Sequence, residues 1–197
     1  MPDGLAGVLT AWVLAITSLA WPATPTVDSS RPPSFPVAGP VRYSAFHHDY
    51  PAADVFARFG ARVVAPVDGT VLEVARTDRW DPTTDRGADR GGLAFSIEGD
   101  DGVRYYGSHL RSLEPGLRAG AVLRSGDPVG RVGNTGDARG IDCHLHFGIS
   151  PVCRGTGDWR VRRGAVAPYP FLRSWQHGGT RSPAAAARLW QRRHGCG

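Results

Sequence analysis

The chain has no lysine; all 23 of its basic residues are arginine. That excludes any carrier domain that would present a lysine for covalent modification. It also weakens arginine as a recognition signal, because a lysine-free chain rich in Ala, Gly, Pro and Arg reads as GC-rich coding bias. Cysteine is scarce, at 3, and no C-x-x-C pair occurs, which argues against a cysteine-built zinc site. There is no H-E-x-x-H, so a metal site built on one helix is excluded. Aromatic and basic residues do not interleave and no nucleic-acid motif is present. The net charge of +5 and pI near 9.6 therefore point away from nucleic acid and suit another anionic partner, such as cell-wall polymer or a membrane surface. Residues 41–152 contain no tandem repeat and no long amphipathic period.

What remains is a chain of 197 residues, enough for one sizeable domain and short extensions. Its hydrophobic share of 41% and charged share of 21% are those of a folded globular protein. With 26 glycines and 16 prolines, short strands joined by turns are favoured over long helices. From Gly4 to Val27 there is no charge, and Leu5 to Trp21 is mostly apolar. We read residues 1–23 as an export signal or N-terminal membrane anchor. The leading Met-Pro-Asp lacks a basic residue, and Ser18-Leu19-Ala20 is the candidate cleavage site, so whether the segment is removed stays open. Residues 24–40, rich in Pro, Ser and Thr, read as an extended linker.

Between Val41 and Cys153 the pattern is short β-runs broken by Gly and Asp: 61–66, 70–74, 93–98 and 103–109. The last two flank Gly99-Asp100-Asp101-Gly102, a hairpin signal. This predicts a mainly β domain, an antiparallel sheet or sandwich, over residues 41–153. Asp78–Gly91 reads as a long polar loop, a reasonable place for specificity beside a cleft. Residues 154–197 form a helical appendix: a short helical turn at 169–175, then a helix with Ser182 as N-cap and Pro183 at its first position. Trp175, Leu189 and Trp190 are expected to pack it onto the sheet. Its arginines (Arg160, Arg162, Arg163, Arg181, Arg192, Arg193) read as a solvated surface. Cys143 and Cys153 are expected to pair, closing a short loop worth about 3 kcal/mol. That leaves Cys196 free or paired between chains, and a monomer is expected.

The chemistry sits in the histidines: 47, 48, 109, 144, 146, 177 and 194. A strand has a side-chain period of two, so His144 and His146 share one face while Cys143, Leu145 and Phe147 take the other. Phe46-His47-His48 is followed by Asp54, and Ser108-His109-Leu110 ends a β-run. A catalytic zinc site needs three N/O ligands and one open position, and imidazole with carboxylate suits that ion. Further histidines beside it could serve as general base and oxyanion support. His177 and His194, in the polar tail, read as surface residues.

The arrangement resembles the lysostaphin-type zinc endopeptidases of peptidoglycan. Asp54, Gly60, Val63, Ala65, Asp68-Gly69 and Val71 follow that family's D-x(5)-G-T-x-V-x-A-x-x-D-G-x-V pattern. Gly107-Ser108-His109-Leu110 matches its mid-chain histidine, and Ser125–Gly136 its glycine-rich stretch before the late H-x-H at His144-Leu145-His146. The likeness covers about residues 43–152. It implies a duplicated hybrid motif fold and one zinc ion per chain, bound by Asp54, His146 and one early histidine. It also implies that His109 and His144 act on water and the developing oxyanion. Where the family spaces its early His and Asp by three residues, this chain has Tyr50. His48 or His47 could each take the early place, and the spacing does not choose between them. The implied partner is peptidoglycan peptide, cut outside the cytoplasm in the cell envelope or medium. The alternative is an inactive relative that binds wall or activates another hydrolase. A third reading rests on Ala65–Val71 and Gly126–Gly130, which look like half-motifs of biotinyl or lipoyl domains, and it fails for want of a lysine.

Overall fold

The computed structural model describes residues 1, 31–45, 47–155 and 158–196. The expected signal or anchor segment, and the start of the expected linker, lie outside the described residues. Among the described residues no helix is long and apolar enough to cross a membrane.

Eight strands form the body: β1 (Ala53–Phe56), β2 (Arg62–Val64), β3 (Gly69–Ala75), β4 (Leu93–Gly99), β5 (Val103–Leu113), β6 (Val122–Leu123), β7 (Pro128–Val132) and β8 (His144–Pro151). Every pairing is antiparallel. The main order is β1-β8-β5-β4-β3-β6, and β7 bridges β5 to β2. The fold is thus mainly β, with three helices appended: α1 (Trp159–Arg162), α2 (Tyr169–Gln176) and α3 (Ala184–His194). The 99–102 turn joins β4 and β5 as a hairpin, with Glu98 opposite Arg104.

Alternation decides what β8 does. Leu145, Phe147 and Ile149 are fully buried in the core, where Trp175 lies edge-on to Phe147 with ring centroids 6.4 Å apart. Phe171 and Leu172 of α2 and Ala187 of α3 join the same core. His144 and His146 therefore face the other way, with the apolar body of the domain behind them. Leu189, expected to pack, is instead 40% exposed. It lies two residues from Ala187 on an eleven-residue helix, and neighbours two apart point to different sides.

Residues 31–40 are extended, but they are tied down. Val37 bridges Val63, the Ser34 amide donates to the Pro66 carbonyl, and the Ser125 hydroxyl donates to the Pro32 carbonyl. Asp68, almost fully buried, accepts from the Ser125 and Arg31 amides and from Arg124. The end of the expected linker thus serves as a strap across the sheet.

The expected Cys143–Cys153 disulfide is not formed; Cys153 pairs with Cys196, and Cys143 is free. The reason is strand geometry. The ten steps from Cys143 to Cys153 run through β8 and span roughly 30 Å when extended, whereas a disulfide needs Cα atoms within about 7 Å. Cys196 follows α3, which folds back onto the domain and brings its Cα to 5.2 Å from that of Cys153.

Candidate active site

Pairing places the polar residues before any side-chain contact is considered. On β1 and β8, Asp54 stands directly opposite His146, and Phe56 opposite His144. Directly opposed residues share a face, so the carboxylate and both imidazoles rise from the same side of the sheet. Ser108 of β5 lies opposite His146 from the other flank.

His109 reaches this face by an irregularity. Simple alternation would set it with Tyr105 and Gly107, which look into the core. Its φ is +64°, in the left-handed region that few residues other than glycine adopt, and the β4 register shifts beside it between Leu93 and Phe95. The strand rotates there, so His109 turns to the site while Leu110 stays fully buried. Gly107 is needed close by, because a Cβ there would collide with the Phe95 ring.

Three histidines are fixed in the same manner. A backbone carbonyl can only accept, so a ring nitrogen facing one carries the hydrogen. His109 Nδ1 donates to the Thr135 carbonyl at 2.9 Å, His144 Nδ1 to that of Asp142 at 2.8 Å, and His146 Nε2 to that of Arg163 at 2.8 Å. The other nitrogens look inward. His146 Nδ1 is 2.9 Å from Asp54 Oδ1, His144 Nε2 is 3.9 Å from the same oxygen, and His109 Nε2 is 3.8 Å from Asp137. His47 Nε2 stands 3.7 Å from the second Asp54 oxygen, and its Nδ1 is buried with no partner. Ligand atoms of His47, Asp54 and His146 all lie within 4.8 Å of one another. His146 Nδ1 and Asp54 Oδ1 meet at 2.9 Å, close enough to share either a proton or a cation between them. This donor set, two imidazoles and a carboxylate, fits a zinc ion.

The electrostatics agree. Burial alone would raise the Asp54 carboxyl, but the His146 hydrogen bond and the nearby His146, His144 and His47 rings outweigh it and bring it to about 2. Burial holds His109 down to about 3, with His146 and His144 adding to the effect. Burial also lowers His47 and pushes Tyr50 up to about 12. The site thus pairs an ionised carboxylate with two imidazoles, His47 and His109, whose protonation burial disfavours.

Of the residues expected from sequence, Asp54, His109, His144, His146 and His47 converge. His48 does not: its side chain is 74% exposed and pairs with Asp49 at 3.0 Å. Five participants were missed. Asp137 faces His109, Tyr50 brings its hydroxyl to 3.5 Å from His146 Nε2, and Thr135, Asp142 and Arg163 supply carbonyls. The carbonyls leave no mark in a sequence. Tyr50 was visible only as the residue standing where a histidine was expected. Arg162 and Arg163, read as solvated surface, line the cleft together with Trp159 and with Gly87, Ala88 and Arg90 of the polar loop. The cleft holds about 210 Å³.

Comparison with known proteins bears on this geometry. A family model described as peptidase family M23 matches residues 48–157. The L-Ala–D-Glu endopeptidase of Bacillus subtilis is 27% identical over 128 residues, covering 62% of this chain and 34% of that protein. The chain thus spans about a third of that relative's length. Among solved structures, the catalytic domain of the antimicrobial peptidase lysostaphin from Staphylococcus simulans superposes with a TM-score of 0.50 at 22% identity, covering 67% of this chain and 89% of the other. A putative glycyl-glycine endopeptidase from Ruminococcus gnavus gives a TM-score of 0.58 at 23% identity over 77% of this chain and 63% of its own. These structural likenesses speak to the fold.

Proposed function

The chain belongs to peptidase family M23, and from that premise we propose that it is an exported zinc endopeptidase that hydrolyses stem peptides or peptide cross-links of bacterial peptidoglycan. The observation that carries the reading is the set of inward-facing ring nitrogens on His109, His144 and His146, each ring fixed by a carbonyl behind it, with Asp54 beside His144 and His146. Asp54, His146 and His47 would hold the metal, with His48 outside the set. When bound, zinc supplies Lewis acidity, polarising a carbonyl and lowering the pKa of a water from 15.7 to about 7.

The chain's own residues supply the rest. His109, kept neutral by burial, offers Nε2 as a proton acceptor, and His144, its ring centre 4.9 Å from that of His109, brings its Nε2 to 3.9 Å from Asp54. The ring that takes a proton from water changes from acceptor to donor. It can then support the tetrahedral oxygen or return the proton to the leaving amine. The Thr135 and Asp142 carbonyls keep both rings from turning, so the acceptors are aimed before substrate arrives. Export is supported by the uncharged run from Gly4 to Val27 and by the location of the wall polymer outside the membrane.

The test is zinc content and release of peptides from purified wall by the wild type and by single His47→Ala, His48→Ala and His146→Ala variants. We expect one zinc per chain in the wild type. Metal and cleavage should be lost in His146→Ala and His47→Ala and kept in His48→Ala. A folded wild type that neither binds zinc nor releases peptide would overturn the peptidase reading.

A further inference from the structure

Three arginines line the cleft, and two of them already hold carboxylates of the chain itself. Arg90 pairs with Asp85 and lies 3.9 Å from Asp137, and Arg162 reaches Glu73 at 2.8 Å. Arg163 has no carboxylate partner among the described residues. Asp49, on the rim beside it, is held by His48 at 3.0 Å. The Arg163 guanidinium lies 4.1 Å from the centre of the Tyr50 ring and 5.1 Å from that of Trp159. Its Nε is buried and bonded to nothing.

Two aromatic faces hold this permanent charge in place, so pairing it with an anion freezes little additional freedom. Its place is set by more than one tie. The Arg163 carbonyl holds His146, and Gly148 keeps the approach open, since a Cβ there would meet that carbonyl. Immediately upstream, Asp158 pairs with the buried Arg104 at 2.8 Å, and Arg104 also donates to the Cys153 carbonyl. The family match ends at residue 157, so this wall of the cleft belongs to the segment beyond it.

The reach follows from two measured steps. The guanidinium is 4.1 Å from the Tyr50 ring, and that ring is 5.7 Å from His146. At ~3.3 Å per residue, an extended peptide covers that distance in about three residues. We propose that Arg163 binds a free carboxylate of the substrate within about three residues of the scissile bond, making the enzyme selective for acidic peptides. The proposal deepens the peptidase reading and rests on it for the identity of the cleft.

The test compares two synthetic peptides that differ only in an acidic residue near the cleaved bond, its carboxylate free in one and amidated in the other. Both are given to the full chain loaded with zinc, as wild type and as Arg163→Gln. The wild type should favour the free carboxylate by about tenfold or more in kcat/KM, the size of a charge-assisted hydrogen bond. In Arg163→Gln that ratio should collapse toward one, with the loss appearing in KM and falling on the acidic peptide. Equal losses on both peptides would mark Arg163 as structural and overturn the proposal, as would an undiminished preference in the variant. Calorimetric binding of the same pair, made uncleavable by N-methylation of the scissile amide, separates this idea from its premise. Arg163-dependent preference in binding without any cleavage would sustain the carboxylate site and sink the peptidase. Cleavage of both peptides with no preference in either assay would do the reverse.

Discussion

His109 combines a left-handed backbone with a side chain that is 9% exposed, and the combination has a thermodynamic signature. In the unfolded chain a histidine takes a proton near pH 6.5, whereas in the folded chain burial and the His146 and His144 rings hold His109 down to about 3. Below 6.5 the unfolded state binds the extra proton, so stability falls with pH from 6.5 toward 3 and is restored above 6.5. We expect the urea midpoint of the metal-free chain to drop through that window, with a shallower drop in His109→Gln. Parallel curves for the two proteins would show that His109 takes its proton as readily folded as unfolded. That His144 and His146 share a face was legible in the sequence because β spacing assigns faces, whereas Asp54 and His109 were singled out by the family resemblance, His109 standing off the alternation. Which of His47 and His48 faces the site was not legible, because Tyr50-Pro51-Ala52 lengthens the loop and no period governs a loop. The carbonyls behind the rings were invisible for a simpler reason, since every residue has one.

Among the elements, β8 connects the fold to the chemistry. Its apolar side chains are covered by α2 and α3, and His146 is held from the front by the turn after α1. Gly148 sits where the Arg163 carbonyl crosses the strand. Gly148→Ala should push that carbonyl away and free His146 Nε2 to rotate. We expect zinc affinity to fall about 10- to 100-fold, as when a carbonyl behind a metal-binding histidine is lost. A competition titration with a chromogenic chelator would measure it, and an unchanged affinity would mean the carbonyl contributes nothing to holding the ring. The strands themselves were legible wherever a turn signal bounded them, as at Gly99–Gly102. The cysteine pairing was not. It depended on which residues an eight-residue strand keeps apart, and on a helix folding back from the far end of the chain.

For the whole molecule, the Cys153–Cys196 bond closes a loop with a sequence separation of 43 residues around α1, α2 and α3. On the chain-entropy model that closure contributes about 4 kcal/mol. Cys196→Ser should therefore melt roughly 10 °C below the oxidised wild type, with reductant lowering the wild type to match. Calorimetric scans with and without reductant would measure this, and coincident scans would mean that the tail is held by packing alone. Beyond its effect on melting, this tail moves the border of the working unit. All five site side chains (His47, Asp54, His109, His144 and His146) lie before residue 150, and the family match stops at 157. Yet the carbonyl that orients His146 belongs to Arg163, on the far side of that line. A chain trimmed at residue 157 would keep all five side chains and lose the carbonyl that aims one of them, so the family match and the chemistry draw the boundary of this domain in different places.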